Sequence, residues 1–76
     1  MIVLEIGKLY EIYNPDGYAI TIFKQRKGEA YHHQLVSGDI VVPLEVQGYQ
    51  YRVLYKNIIG WIDCDEAWKQ FAFKRI

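Results

Sequence analysis

Residues 35–63 read LVSGDIVVPLEVQGYQYRVLYKNIIGWID, and the order of turns and apolar runs within them decides the fold class. Ser37-Gly38-Asp39 is a turn ahead of the β-branched run Ile40-Val41-Val42. Pro43 has no amide hydrogen to donate to a ladder, which places it at an edge, a bulge or a strand end. Leu44-Glu45-Val46 then turns around Gln47-Gly48 and pairs with Tyr51-Arg52-Val53-Leu54-Tyr55. Lys56-Asn57 joins that run to Ile58-Ile59-Gly60-Trp61-Ile62 as a tight hairpin. A two-residue connection favours positive φ, which Asn57 tolerates better than Lys56, so a slightly longer loop is the alternative.

The same grammar extends outward. Ile2 to Ile6 is apolar and β-branched, Gly7 interrupts it, and Leu9 to Tyr13 continues. Asn14-Pro15-Asp16-Gly17 is a strong break, after which Tyr18 to Phe23 carries apolar residues on both faces, as a central strand does. Lys24-Gln25-Arg26-Lys27-Gly28-Glu29 is a polar, basic loop leading into Tyr31 to Val36. Toward the C-terminus Asp63 and Glu66 have the spacing of a helix cap, and 64–70 reads as one short helical turn, with a strand as the alternative. A short closing strand follows, in which Phe71, Phe73 and Arg75 alternate. The expectation is a single all-β domain over 1–76, a small antiparallel barrel of five to six strands.

Composition fits one small domain. The 76 residues are 51% hydrophobic and 24% charged, with nine Lys/Arg against nine Asp/Glu. Zero formal charge argues against general attraction to nucleic acid or an anionic membrane, both of which rest on clustered cations. No stretch approaches the ~20 apolar residues of a membrane span. Cys64 is the only cysteine, so no internal disulfide staples the fold, and a cytoplasmic location is expected. The opening stretch carries no basic region, and Glu5 breaks its apolar run well short of a signal-peptide core.

The pieces Gly38-Asp39-Ile40, Leu44-Glu45 and Gly60-Trp61-Ile62, within the segment quoted above, resemble an SH3-like β-barrel. Leu9-Tyr10-Glu11-Ile12-Tyr13 is similar, more loosely, to that family's opening Ala-Leu-Tyr-Asp-Tyr stretch. In such a barrel Gly60 would sit where two backbones approach closely. Peptide-binding members carry tandem Trp and a Pro-x-x-Tyr segment, where this chain has Tyr49-Gln50-Tyr51 and Asp63-Cys64-Asp65-Glu66. The resemblance therefore does not extend to recognition of PxxP ligands. The layout is closer to the short stand-alone SH3-like proteins of bacteria and tailed bacteriophages. That resemblance implies a non-catalytic interaction module, such as a phage-encoded accessory binding a virion subunit or a host protein, located in the host cytoplasm or on the virion.

Candidate sites follow from residue chemistry. Seven Tyr, three Phe and two Trp exceed what so small a core encloses, so several rings should reach the surface and make a docking face. By resemblance, Tyr10, Tyr13 and Trp61 fall near the groove that SH3 domains use, with Tyr51 near the tandem-Trp position and Tyr49 beside it. The competing expectation is that Tyr10, Val53 and Ile62 line the core. The expected partner is a protein or a second copy. The alternative is nucleic acid or a nucleotide, held by Lys24, Arg26 and Lys27 with nearby rings.

Other chemistry finds little support. His32 and His33 are strand neighbours that point to opposite faces and do not readily share a metal. Cys64 between Asp63 and Asp65 is disfavoured as a thiolate, and those carboxylates with Glu66 fit capping better than a calcium loop. Six scattered glycines form no phosphate cradle, and Ser37 has no motif partner for acid–base chemistry. No enzyme, cofactor or metal is expected.

Overall fold

Alternating burial along the strands organises the molecule. Tyr51, Val53 and Tyr55 are buried while Arg52 and Leu54 between them are only partly so, which is the signature of a strand with one face on a core. The computed structural model describes residues 3–13, 17, 19–64 and 72–76. They form seven strands, β1 (Tyr10–Tyr13), β2 (Ile20–Phe23), β3 (Ala30–Leu35), β4 (Ile40–Gln47), β5 (Gln50–Tyr55), β6 (Ile58–Asp63) and β7 (Ala72–Arg75). The sheet order is β3-β2-β6-β5-β4-β1-β7, and every pairing is antiparallel.

This sheet is curled. A flat sheet would be about 10 Å thick, whereas the molecule measures 27 × 25 × 24 Å along its principal axes. The result is an all-β half-barrel with no helix among the described residues. The sequence suggested five to six strands. The seven include β3, over the Tyr31–Val36 run, and β7, the short closing strand expected at the C-terminus, which pair with β2 and β1 at the two ends of the sheet. The helical turn expected in 64–70 lies, beyond Cys64, outside the described residues, as do 14–16 of the Asn14–Gly17 break.

Inside the curl sit Ile12, Ile20, Ile22, Leu35, Val41, Val53 and Ile62, joined by Leu4, Tyr10, Tyr51, Tyr55 and Cys64. Burying each large aliphatic side chain contributes about 1.5–3 kcal/mol. The tyrosines reach from this core to polar groups. Tyr55 donates its hydroxyl hydrogen to Asp39 Oδ1 at 3.2 Å, and Asp39 Oδ2 accepts the Val36 amide hydrogen at 2.8 Å. Among the described residues no buried side-chain nitrogen or oxygen lacks a partner.

Two backbone features set the curvature. Pro43 does not end its strand: β4 runs through it, and the register with β5 shifts between Pro43 and Glu45. The bulge accommodates the missing donor, one of the three placements open to proline. At Gly60 the β6 backbone passes so close to β2 that an added Cβ would lie 2.6 Å from Ile22 Cγ1 and 2.7 Å from the Phe23 carbonyl oxygen. Only glycine fits where the two strands approach.

The β5–β6 connection is the tight two-residue turn, with Tyr55 opposite Ile58. Its positive φ falls on Lys56, at +52°, and not on Asn57. Residues 3–9 form no ladder. Leu4 alone of them reaches inside the half-barrel and joins the core, while Val3 and residues 5–9 are exposed.

Candidate functional site

Residues paired across an antiparallel ladder project from the same face, so register converts sequence into a surface. Gly60 and Ile62 point into the core, which turns Trp61 outward. Its cross-strand neighbours are Phe23 on β2 and Arg52 on β5, and Arg52 in turn is opposite Glu45 on β4. One outward row therefore reads Phe23, Trp61, Arg52, Glu45. Beside it runs an apolar row of Ile59, Leu54 and Val42, with Ile40 exposed two residues along β4.

A second arginine completes the face. Arg26, on the β2–β3 loop, holds its guanidinium carbon 5.8 Å from the centre of the Trp61 ring, within cation–π range. It is fixed there by Arg26 Nε donating to Gln50 Oε1 at 2.9 Å and Nη1 donating to Gln47 Oε1 at 2.7 Å. Gln50 is the one buried polar residue of the described set. Its Nε2 donates to the Arg26 carbonyl and to Asp63 Oδ1, each at 2.9 Å. The loop is thus pinned to the rim of the sheet by a side chain with almost no water around it.

Glu45 closes the network from the other side. Its Oε1 accepts from Arg52 Nη1 at 3.0 Å and its Oε2 from Gln47 Nε2 at 3.1 Å. The Gln47 amide first, and then the Arg52 guanidinium, hold its carboxyl below the ordinary carboxylate range.

The five rings singled out for partner binding separate into two sets. Trp61 is half-buried on the outer face, while Tyr13 (51% exposed) and Tyr49 (46% exposed) are open to solvent. Tyr10 (7%) and Tyr51 (4%) are core residues, in line with the competing expectation for Tyr10. Their hydroxyl oxygens accept the amide hydrogens of Glu5 at 2.8 Å and Leu4 at 3.0 Å, which occupies the inner face. Tyr13 does not join Trp61. Its strand β1 lies three positions from β6 in the sheet, about 14 Å at ordinary strand spacing. It carries instead the Lys74 ammonium, 5.9 Å from its ring centre.

The basic loop is similarly divided. Lys24 lies 3.5 Å from Glu29 Oε1 and 5.6 Å from the centre of the Tyr31 ring, and Arg26 is committed to Gln47, Gln50 and Trp61. The structure brings Lys24, Arg26 and Lys27 onto one loop, with two of the three cations already engaged. His33 stacks on Tyr55 at 4.9 Å between ring centres, with Nε2 3.8 Å from Asp39 Oδ2. His32 is exposed and Cys64 is buried.

Sequence reasoning missed Phe23, Arg52 and Gln50 as parts of this face. The two-residue β5–β6 hairpin sets the register that places Arg52 opposite Trp61 and Gln50 opposite Asp63, whereas Phe23 comes from the non-local β2–β6 pairing, for which the sequence carried no signal. Comparison with protein-family models, with curated proteins and with solved structures gives no significant match. The functional reading therefore rests on the chain's own geometry.

Proposed function

We propose that this protein is a non-catalytic, SH3-like interaction module that docks onto a partner protein through the outer sheet face centred on Trp61. The observation that carries this is the outward row Phe23, Trp61, Arg52, Glu45, with Arg26 over the indole and the apolar row Ile59, Leu54, Val42 alongside. Trp and Arg are the side chains most enriched at interface hot spots, because they supply rigid area together with polar donors. Here both arginines are preorganised by Gln47, Gln50 and Glu45, so little side-chain entropy is lost on docking.

The SH3-like part of the reading is supported by the β4-β5-β6 meander and by the closing strand β7 lying against β1. The close approach at Gly60 also supports it. On the phage-like layout the partner is a virion subunit or a host protein. Nucleic acid is the weaker reading, since Lys24 and Arg26 already have partners within the chain. It would give affinity that falls steeply with salt.

The test is a pull-down of the tagged protein from its native cells, in parallel with Trp61→Ala. A stoichiometric partner retained by the parent protein and lost by Trp61→Ala, with both folded, supports the module. Equal retention by the two overturns the Trp61 face.

A further inference from the structure

The inner face of the half-barrel holds a built site for a short stretch of chain, and the chain fills that site itself. Leu4 is buried in the core, and its amide donates to Tyr51 Oη at 3.0 Å. The next amide, Glu5, donates to Tyr10 Oη at 2.8 Å, and the Gly7 amide donates to the Pro43 carbonyl at 2.8 Å. Arg75 on β7 meets the Glu5 carboxylate at 3.3 Å. The groove thus reads an apolar side chain followed by an acidic one, with two consecutive backbone donors.

The link between this segment and the barrel is short. The Gly7 amide still belongs to the groove, while the Leu9 carbonyl already accepts from the Ile76 amide at 3.0 Å. Gly7 and Lys8 are the hinge between them. The turn at 5–8 is closed by a long bond, Lys8 amide to Glu5 carbonyl at 3.4 Å, and it needs Gly7 at φ +83°. A positive φ at the third position of a turn is a glycine conformation. Apolar side chains flank this hinge without cover: Ile6 and Leu9 are each about half exposed, and Val3 is 80% exposed.

We propose that residues 3–7 exchange between copies, so that this segment of one chain fills the Tyr10–Tyr51 groove of a second and makes a two-fold dimer. Every groove contact is conserved in the exchange, because the incoming segment is chemically identical. Only the hinge changes, from a turn to open chain, and the 3.4 Å bond that closes the turn is long enough that little is lost on opening it. In the dimer the two hinges come together and cover Ile6 and Leu9, area that the closed monomer leaves in water. The proposal deepens the interaction-module reading, naming a second copy as one partner, and uses a face distinct from Trp61.

The test uses two single-cysteine variants, Glu5→Cys and Arg75→Cys, mixed and treated with a short bismaleimide. The control is Glu5→Cys with the parent chain, which accounts for Cys64. A heterodimeric adduct above the control is expected, growing with concentration. Gly7→Val, which cannot easily hold φ +83°, raises its yield roughly tenfold, and Leu4→Ala abolishes it. Absence of the adduct in the folded parent background at high concentration overturns the exchange, whether or not Gly7→Val folds. An adduct that ignores Leu4→Ala also overturns it, as does a foreign segment that displaces residues 3–7 without any adduct. None of these variants touches Trp61, so loss of partner binding in Trp61→Ala is read separately.

Discussion

Arg26 and Gln50 hold each other by two hydrogen bonds of 2.9 Å, the guanidinium Nε donating to the amide oxygen and the amide nitrogen donating to the Arg26 carbonyl. One side chain of β5 thereby fixes a whole loop over the sheet rim and sets a cation above Trp61.

Replacing Gln50 with Leu removes the anchor and leaves the Arg26 carbonyl without that donor. The cost is about 1–3 kcal/mol, which for a domain of this size lowers Tm by roughly 4–24 °C. Amide exchange across residues 24–29 should accelerate more than exchange in β5 itself. Uniform acceleration would mean that Gln50 serves the fold alone and not the loop.

Gly60→Ala drives a methyl group into the Phe23 carbonyl oxygen and Ile22 Cγ1 at 2.7 and 2.6 Å. Backbone on one side cannot swing aside, so β2 and β6 must separate. A loss of about 1–3 kcal/mol is expected in urea denaturation. An unchanged midpoint would show that the strands do not approach as described.

Lys56 stands at φ +52°, where a side chain is strained by about 1–2 kcal/mol. Lys56→Gly relieves that strain but loses the ammonium 5.4 Å from the centre of the Tyr55 ring, worth about 0.5–1 kcal/mol at an exposed site. The balance, about 0–1.5 kcal/mol, favours the variant and is read as a higher urea midpoint with an unchanged slope. A lower midpoint would contradict it.

Much of this fold was legible because its strands are short, β-branched and separated by turn residues with known mechanisms. The pairing of 50–55 with 58–63 needed only Lys56-Asn57 between two apolar runs. Pro43 was harder. From sequence it ends a strand as readily as it sits in a bulge, and only the β4–β5 register decides between the two. The site was less legible for the same reason. Trp61 could be singled out alone and Arg52 is its neighbour across the β5–β6 hairpin, but Phe23 comes from a strand far away in sequence. Tyr10 and Tyr51, set near a surface groove by resemblance alone, lie inside, where the Glu5 and Leu4 amides donate to their hydroxyl groups.

Glu45 gives the face a pH dependence. Its carboxyl is held below the ordinary range by Gln47 and Arg52. A group whose pKa is lowered by folding contributes stability above its unfolded value, ~4.3 for Glu, and loses it as the pH falls through the lower folded value. Acid should therefore weaken the fold below about pH 4, and Glu45→Gln should flatten that part of the decline. Urea midpoints for both proteins between about pH 2 and 7 check the sign. Parallel curves would contradict the assignment.

The most direct test of the central claim is the affinity of the isolated partner for the parent protein and for Trp61→Ala, with Tm recorded for both. A hot spot at Trp61 predicts at least a roughly thirtyfold loss of affinity, about 2 kcal/mol, in a variant that remains folded. Affinity unchanged within about twofold in a folded Trp61→Ala would show that the partner does not dock on this face.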